Sequence, residues 1–208
     1  MKILIVTSYF HPEIGAAASR IGNMANGLSE RGAEVDILTP LPNYPQGRIF
    51  DGYRGKINVE EKIDGHRVFR YWTYATVSKK AIARAVNMVA YAAIIWLFGL
   101  RRSLIKSYDC VIIQSPPLLV SYSAMKLFKA VYGKKTILNV SDLWPQSAVE
   151  LGAMREGSMS YKVFAHCERY IYKKADAVFG QSQTILDHIR GFEPDKDMFL
   201  YRNLQPIS

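Results

Sequence analysis

Four stretches carry side chains whose types and spacing suit chemistry on an anionic or hydroxyl-bearing ligand. In "HPEIGAAASR", residues 11–20, a small-residue turn follows the apolar run Ile3–Val6 and leads into a helical pattern. Gly15 and the alanines Ala16, Ala17 and Ala18 let backbone approach a ligand closely, while the first amides of the helix carry partial positive charge. A phosphate suits such a turn, and Arg20, about one helical turn further on, adds charge. Close helix–strand packing accounts for the same alanines without a ligand, so both readings stay open.

The second stretch is "NVSDLWPQSAVELG", residues 139–152. Val140 ends an apolar run, and Ser141, Asp142, Gln146 and Ser147 follow at the strand's C-terminal edge, the side on which α/β proteins collect ligands. Asp142 also suits a helix N-cap, with Pro145 near a helix start. The third, "QSPPLL" from Gln114, leaves another strand end on two stiffening prolines. The fourth, "PLPNYPQGRIFDGYRG", is loop by its proline and glycine content. Converging on one rim, these loops make a cleft.

Nucleotide cofactors fit poorly. A dinucleotide fingerprint needs three glycines and an acid at the end of the second strand. Here only Gly15 is kept, the strand ends Leu38-Thr39-Pro40, and Asp36 lies inside it. No GKS or GKT follows the turn, so a P-loop is absent.

The elements that must position these residues alternate between apolar runs and helix-period segments, which predicts an α/β fold with a parallel sheet covered on both faces. Strands are expected at Lys2–Thr7, Glu34–Thr39, Asn58–Ile63, His66–Tyr71, Cys110–Gln114, Thr136–Val140, Ala177–Gly180 and Met198–Leu200, the third and fourth forming a hairpin around "DGH". Helices are expected at Ala17–Glu30, Ala81–Lys106, Leu118–Tyr132, after Pro145, Ser160–Lys174 and Ser182–Ile189, with Gly32 closing the first by a left-handed conformation.

At 208 residues the chain suits one large domain, and 49% hydrophobic with 22% charged residues excludes a disordered chain. A net charge of +9 calls for an anionic partner. Cys110 and Cys167 have neither metal-site nor disulfide spacing, and the start lacks a secretory signal, so a cytoplasmic protein with reduced core thiols is expected. In residues 81–106, the uncharged run Ala85–Leu100 falls short of the roughly 20 residues that span a bilayer. Its apolarity is broader than one core-facing stripe. With Lys79, Lys80, Arg84, Arg101, Arg102 and Lys106 flanking it, and Trp96 and Phe98 within it, the helix suits peripheral contact with an anionic membrane as well as core packing.

Taken in order, "ILIVTSYFHPEIGAAASRIGNMANGLSERGAEVDILTPLPNYPQG", "QSPPLL", "NVSDLWPQSAVELG", "ADAVFGQSQTILDHI" and "YRNLQP" resemble the N-terminal half of retaining, GT-B-fold glycosyltransferases of family 4. The likeness is closest to the type that extends lipid-linked sugars in capsule, O-antigen or lipopolysaccharide synthesis. It implies a Rossmann-like, doubly wound, mainly parallel sheet forming an acceptor-binding domain over residues 1–200. A hinge would begin at 201–208, leading to a donor-binding domain outside this sequence, and the isolated half is expected to be inactive. The resemblance implies a hexosyltransferase that needs no cofactor and no metal. Its partners would be a nucleotide sugar, a lipid-linked glycan acceptor, an anionic membrane surface and its own C-terminal domain, with no nucleic acid.

By the same resemblance, Gly15, Ala16 and Arg20 approach the donor diphosphate, Ala16 standing where relatives usually carry a second glycine. His11, Glu13, Asn43, Tyr44, Ser115, Pro116, Ser141, Trp144 and Gln146 line the acceptor pocket. Where many relatives carry a histidine this chain has Ser141-Asp142, which makes Asp142 the candidate for contacting the reacting sugar or acceptor hydroxyl. The alternative from another class is a non-catalytic cationic module for membranes or nucleic acid, resting on the aromatic and basic residues of "HRVFRYWTYATVSKK".

Overall fold

The computed structural model describes residues 1–76 and 81–202, without the side chains of 81–85. Lys79, Lys80, the Arg84 side chain and the hinge beyond Arg202 lie outside the described residues. Eight strands form one sheet in the order β3-β4-β2-β1-β5-β6-β7-β8. These are β1 (Lys2–Val6), β2 (Glu34–Pro40), β3 (Asn58–Ile63), β4 (His66–Tyr71), β5 (Cys110–Ser115), β6 (Lys135–Val140), β7 (Ala177–Gly180) and β8 (Asp197–Leu200). All neighbours are parallel except β3 and β4, which pair antiparallel. Asp64 (φ 50°) and Gly65 (φ 85°) turn that hairpin, the two left-handed residues a tight two-residue connection requires.

Side chains alternate across the central strands, and this sorts the core into two layers. Ile3 and Ile5 of β1 face helix α1 (Ala16–Glu30) through Ile21, Met24 and Ala25. Leu4 and Val6 face the opposite layer, built by α2 (Ala81–Gly99), α3 (Arg102–Ser107), α4 (Leu118–Ala124, continued by a π-helical segment Met125–Val131), α6 (Met159–Lys174) and α7 (Gln183–Arg190). A short helix, α5 (Gln146–Glu150), follows Pro145. The chain thus winds outward from β1 in both directions, one face covered by α1 and the other by the remaining helices. Both cysteines are free and buried.

The expected single helix over 81–106 is two. Gly99 lies so close to Leu127 that a Cβ there would sit 2.9 Å from its Cδ1. Leu100 N–H donates to Leu97 O and Arg101 N–H to Phe98 O, the three-residue spacing that tightens a helix end. No helix among the described residues is long and apolar enough to cross a membrane.

Phe98 was expected at a membrane, but it is 0% exposed and packs against Phe69, Tyr71 and Phe128. The outward stripe of α2 is instead Val86, Val89, Ala93, Trp96, Leu97 and Leu100, a one-face helical spacing. Arg101 turns back to Glu60 at 2.9 Å and over the Phe69 ring, while Arg102 stays exposed. The basic–aromatic segment "HRVFRYWTYATVSKK" does not present its first half for stacking. Phe69 and Tyr71 are buried, and Arg67 and Arg70 are paired with Asp36 and Glu61.

Candidate functional site

Strand order reverses between β1 and β5, and a crevice opens beyond the C-terminal ends of strands at such a switch point. The loops leaving β1, β2, β5, β6 and β7 meet on this rim through specific bonds. Ser141 N–H donates to Ser115 O at 2.9 Å, and the Gln114 amide donates to Ser141 Oγ at 3.0 Å, joining the ends of β5 and β6. Asn139 Nδ2 donates to Gln114 Oε1 at 2.6 Å. From α1, Arg20 Nη1 donates to Gln181 Oε1 at 3.1 Å, just beyond β7. The Tyr9 and Tyr44 rings meet edge to face at 5.4 Å. Gly15 (φ 155°) lies beneath Tyr44, where a Cβ would approach that ring to 3.3 Å, so both conformation and space call for glycine.

Two buried charges hold the left side of the rim. Glu13, only 3% exposed, accepts from the backbone N–H groups of Asn43 (2.8 Å), Tyr44 (2.9 Å) and Phe10 (3.2 Å). It was expected in the acceptor pocket, but its carboxylate is consumed in stapling the β1 loop to the β2 loop. Burial raises its pKa, partly offset by those three N–H donors and by the charge of Arg70. The proton is therefore held more tightly in the fold than in the unfolded chain. The stability this contributes is complete below the ordinary value of 4.5 and is lost as pH rises through the raised value. Glu13→Gln, which cannot accept from all three donors, is expected to cost about 1–3 kcal/mol at neutral pH. Chemical denaturation at pH 7 and pH 5 tests both points, with wild type gaining on the variant at the lower pH.

Arg70 is 0% exposed. Its guanidinium donates to a Glu61 carboxylate oxygen and to His11 O, and at 3.3 Å to Pro40 O, so one side chain ties β3, the β1 loop and the end of β2. Nothing in the periodic pattern marked Arg70 as functional; its signal was an arginine set between Phe69 and Tyr71 in a strand.

The other expected residues divide. Asp142 is exposed on the rim, and its Oδ1 accepts from Leu143 N–H (2.9 Å) and from Ser147 Oγ (2.6 Å). Pro145, not Asp142, occupies the N-cap position of α5. Asn43, Pro116 and Ser141 lie on the rim half-buried, and Tyr44 and Ala16 are exposed there. Gln146 is exposed and bonded to Glu150, and Trp144 packs on Phe164 at 5.5 Å. Ser115 is buried, which removes its side chain from the surface expected for it. His11 turns from the cleft, its Nδ1 3.1 Å from Asp64 and its ring against Gly22.

A larger cavity of about 600 Å³ lies at the opposite, N-terminal edge, lined by Glu34, Asp36, Lys62, His66 and Arg67 among others. Its buried carboxylate, Asp36, is engaged by Arg67 and the Tyr108 hydroxyl, each at 2.6 Å, which leaves a self-neutralised structural cluster. Among the described residues, no group of three or more histidines, cysteines or carboxylates is placed to hold a metal ion.

The chain is 25% identical over 157 residues, 76% of its length and 38% of the relative's, to WcaI of Escherichia coli (strain K12), whose name describes a colanic acid biosynthesis glycosyl transferase. It is 22% identical over 207 residues, 99% of its length and 48% of the relative's, to the uncharacterized glycosyltransferase MJ1069 of Methanocaldococcus jannaschii. The chain thus spans less than half the length of these curated relatives. Among solved structures, a sucrose-phosphate synthase chain from Thermosynechococcus elongatus superposes with a TM-score of 0.61 at 10% identity, covering 99% of this chain and 91% of that one. The catalytic domain of starch synthase IV from Arabidopsis thaliana does so with a TM-score of 0.60 at 11% identity, covering 96% and 51%. Those likenesses establish the Rossmann-like fold of GT-B glycosyltransferases. The model of the glycosyl transferase 4-like domain matches residues 15–199, from the small-residue turn at Gly15 through the last strand, and the chain belongs to that family.

Proposed function

We propose that this chain is the acceptor-side half of a glycosyltransferase that moves a hexose from a nucleotide sugar to a polyprenyl-diphosphate-linked glycan, with retention and without a bound metal. The reading places the work in bacterial surface polysaccharide synthesis, at the cytoplasmic face of the membrane. The observation that carries it is the rim itself, where the loops after β1, β2 and β6 set Gly15, Asn43, Tyr44, Ser141 and Asp142 at the C-terminal strand ends beside the switch point. The name of the Escherichia coli relative supports the polysaccharide assignment. In this reading the α1 N-terminus and Arg20 face the donor diphosphate, Asp142 contacts the reacting sugar or acceptor hydroxyl, and a second α/β domain beyond the 201–208 hinge closes the cleft. The test is to incubate the full-length gene product with labelled nucleotide sugars and membrane-extracted polyprenyl-linked glycans. Label in the lipid fraction, with the donor's anomeric configuration kept in the product, supports the reading; no transfer to any lipid-linked acceptor sinks it.

Support for a membrane-bound acceptor comes from α2. Its outward apolar stripe ends at Leu100 and is followed by exposed Arg102 and Lys106, the pattern of a helix that lies in an anionic interface. The double substitution Trp96→Asp, Leu97→Asp is expected to reduce flotation with phosphatidylglycerol vesicles tenfold or more, since Trp96 is 44% and Leu97 47% exposed and covering what remains is worth roughly half of a whole side chain's 1.5–3 kcal/mol for each. Binding that survives both the substitution and the removal of anionic lipid contradicts a docked α2.

A further inference from the structure

Helices α2, α3, α4 and α6 form a cationic surface without counter-charge. Residues 65–108 and 110–141 contain no aspartate or glutamate, so α2, α3, α4 and its π-helical continuation carry none. The single carboxylate of α6, Glu168, is buried between the Tyr172 hydroxyl at 3.1 Å and His188 Nε2 at 3.2 Å. At the margins Glu60 is engaged by Arg101 (2.9 Å) and Asp176 by Lys129 (2.6 Å). Arg102, Lys106, Lys162, Arg169 and Lys173 stay exposed.

The same helices leave apolar side chains in the open: Trp96, Leu97 and Leu100 on α2, Met159 and Val163 on α6. Between them lies α4. The Trp96 indole N–H donates to Ser123 Oγ (3.0 Å), and the Tyr122 ring meets Tyr170 of α6 edge to face at 4.9 Å, so the three helices make one continuous face. At its middle stands Lys126, half-buried, with its ammonium 4.3 Å from the centre of the Tyr170 ring and 5.5 Å from that of Tyr122. The electron-rich ring faces hold the cation there. Among the described residues no carboxylate pairs with it.

A fixed, unneutralised cation flanked on both sides by apolar side chains narrows the partner. An acidic protein or a nucleic acid satisfies the charge and leaves the aliphatic groups against polar ones. A bilayer satisfies both, with acyl chains for Leu97, Leu100 and Val163, phosphates for the cations, and the amphipathic tyrosines at the level between. We infer that α2, α4 and α6 dock together on an anionic bilayer, and that Lys126, set between Tyr122 and Tyr170, receives the phosphate of a phospholipid headgroup. The inference rests on the membrane reading of α2 and extends it to two further helices and a defined phosphate site. It also orients the domain. These helices cover one face of the sheet, so with that face on the bilayer the rim at the strand ends opens along the membrane surface.

The test is flotation of the full-length protein with vesicles of phosphatidylglycerol and phosphatidylcholine in equal parts. One basic residue at an anionic surface is worth about a factor of five, so Lys126→Ala is expected to weaken binding about fivefold and Lys126→Glu about thirtyfold. Val163→Asp on α6 is expected to weaken it fivefold or more. The same charge reversal at Arg31, the exposed C-cap of α1 on the opposite face of the sheet, lies beyond the screening length and should cost less than twofold. Melting temperatures near wild type check that each variant is folded. Binding that persists through Lys126→Glu and Val163→Asp, but not through Trp96→Asp, Leu97→Asp, overturns the inference and leaves α2 docked alone. Wild type that fails to float with these vesicles overturns the α2 reading as well. Inorganic phosphate that releases the protein at matched ionic strength, or a duplex RNA that competes through Lys126, reassigns the site to free phosphate or to nucleic acid and overturns it too.

Discussion

If the proposed transferase reading holds, Asp142→Asn in the full-length protein is expected to lower turnover by about 10²-fold or more while leaving the melting temperature nearly unchanged. The asymmetry follows from what the carboxylate does within the fold. Its Oδ1 accepts from Leu143 N–H and from the Ser147 hydroxyl, and an asparagine carbonyl can accept both. What asparagine cannot supply is the negative charge, and a positioned carboxylate acting on a proton or a developing cation in a transition state contributes roughly 10²–10⁴-fold. Parallel steady-state kinetics and thermal melts separate the outcomes. Turnover that falls with no change in melting temperature supports contact with the reacting groups. Equal and modest losses in both would make Asp142 a brace for the first turn of α5 and nothing more.

Arg70→Leu is expected to destabilise the protein by about 3–5 kcal/mol, because it removes the cation facing the half-buried Glu61 and leaves the carbonyl oxygens of His11 and Pro40 without their donor. For a chain of this size that corresponds to a fall in melting temperature of roughly 6–20 °C. The loss is large because three elements depend on one guanidinium: Glu61 on β3, His11 O in the β1 loop and Pro40 O at the end of β2. Leucine fills much of the volume but donates to none of them. Arg190, exposed and paired among the described residues with Asp187 on its own helix, provides the contrast, and its removal is expected to change little. A melting temperature for Arg70→Leu within a degree or two of wild type would mean that the β1 and β2 loops are held by their own backbone bonds and by Glu13.

The strands and helices were legible because their periods differ and because glycine and proline separate them. "DGH" announced the hairpin and "RGAEV" the end of α1, since both rest on local backbone preferences that glycine alone satisfies without strain. The strand-end loops were legible for the same reason. What sequence could not give was phase and partnership. Between residues 85 and 100 apolarity runs all round the helix, so no stripe tells which residues face out; the fold buries Phe98 and exposes its neighbour Leu97. Glu13 stands two residues from Gly15 and reads as a rim carboxylate, but the backbone amides of Asn43 and Tyr44, thirty residues away, claim it. Arg70 was silent because its role exists only once distant loops meet.

A crystal structure of the full-length protein with its nucleotide sugar tests the central claim most directly. The account predicts the donor diphosphate within hydrogen-bond reach of the amides that follow Gly15, with its sugar projecting over Ser141 and Asp142 and a second α/β domain closing above them. A nucleotide sugar seated away from this rim, for instance in the cavity beside Asp36 and Arg67 at the opposite edge of the sheet, would contradict it.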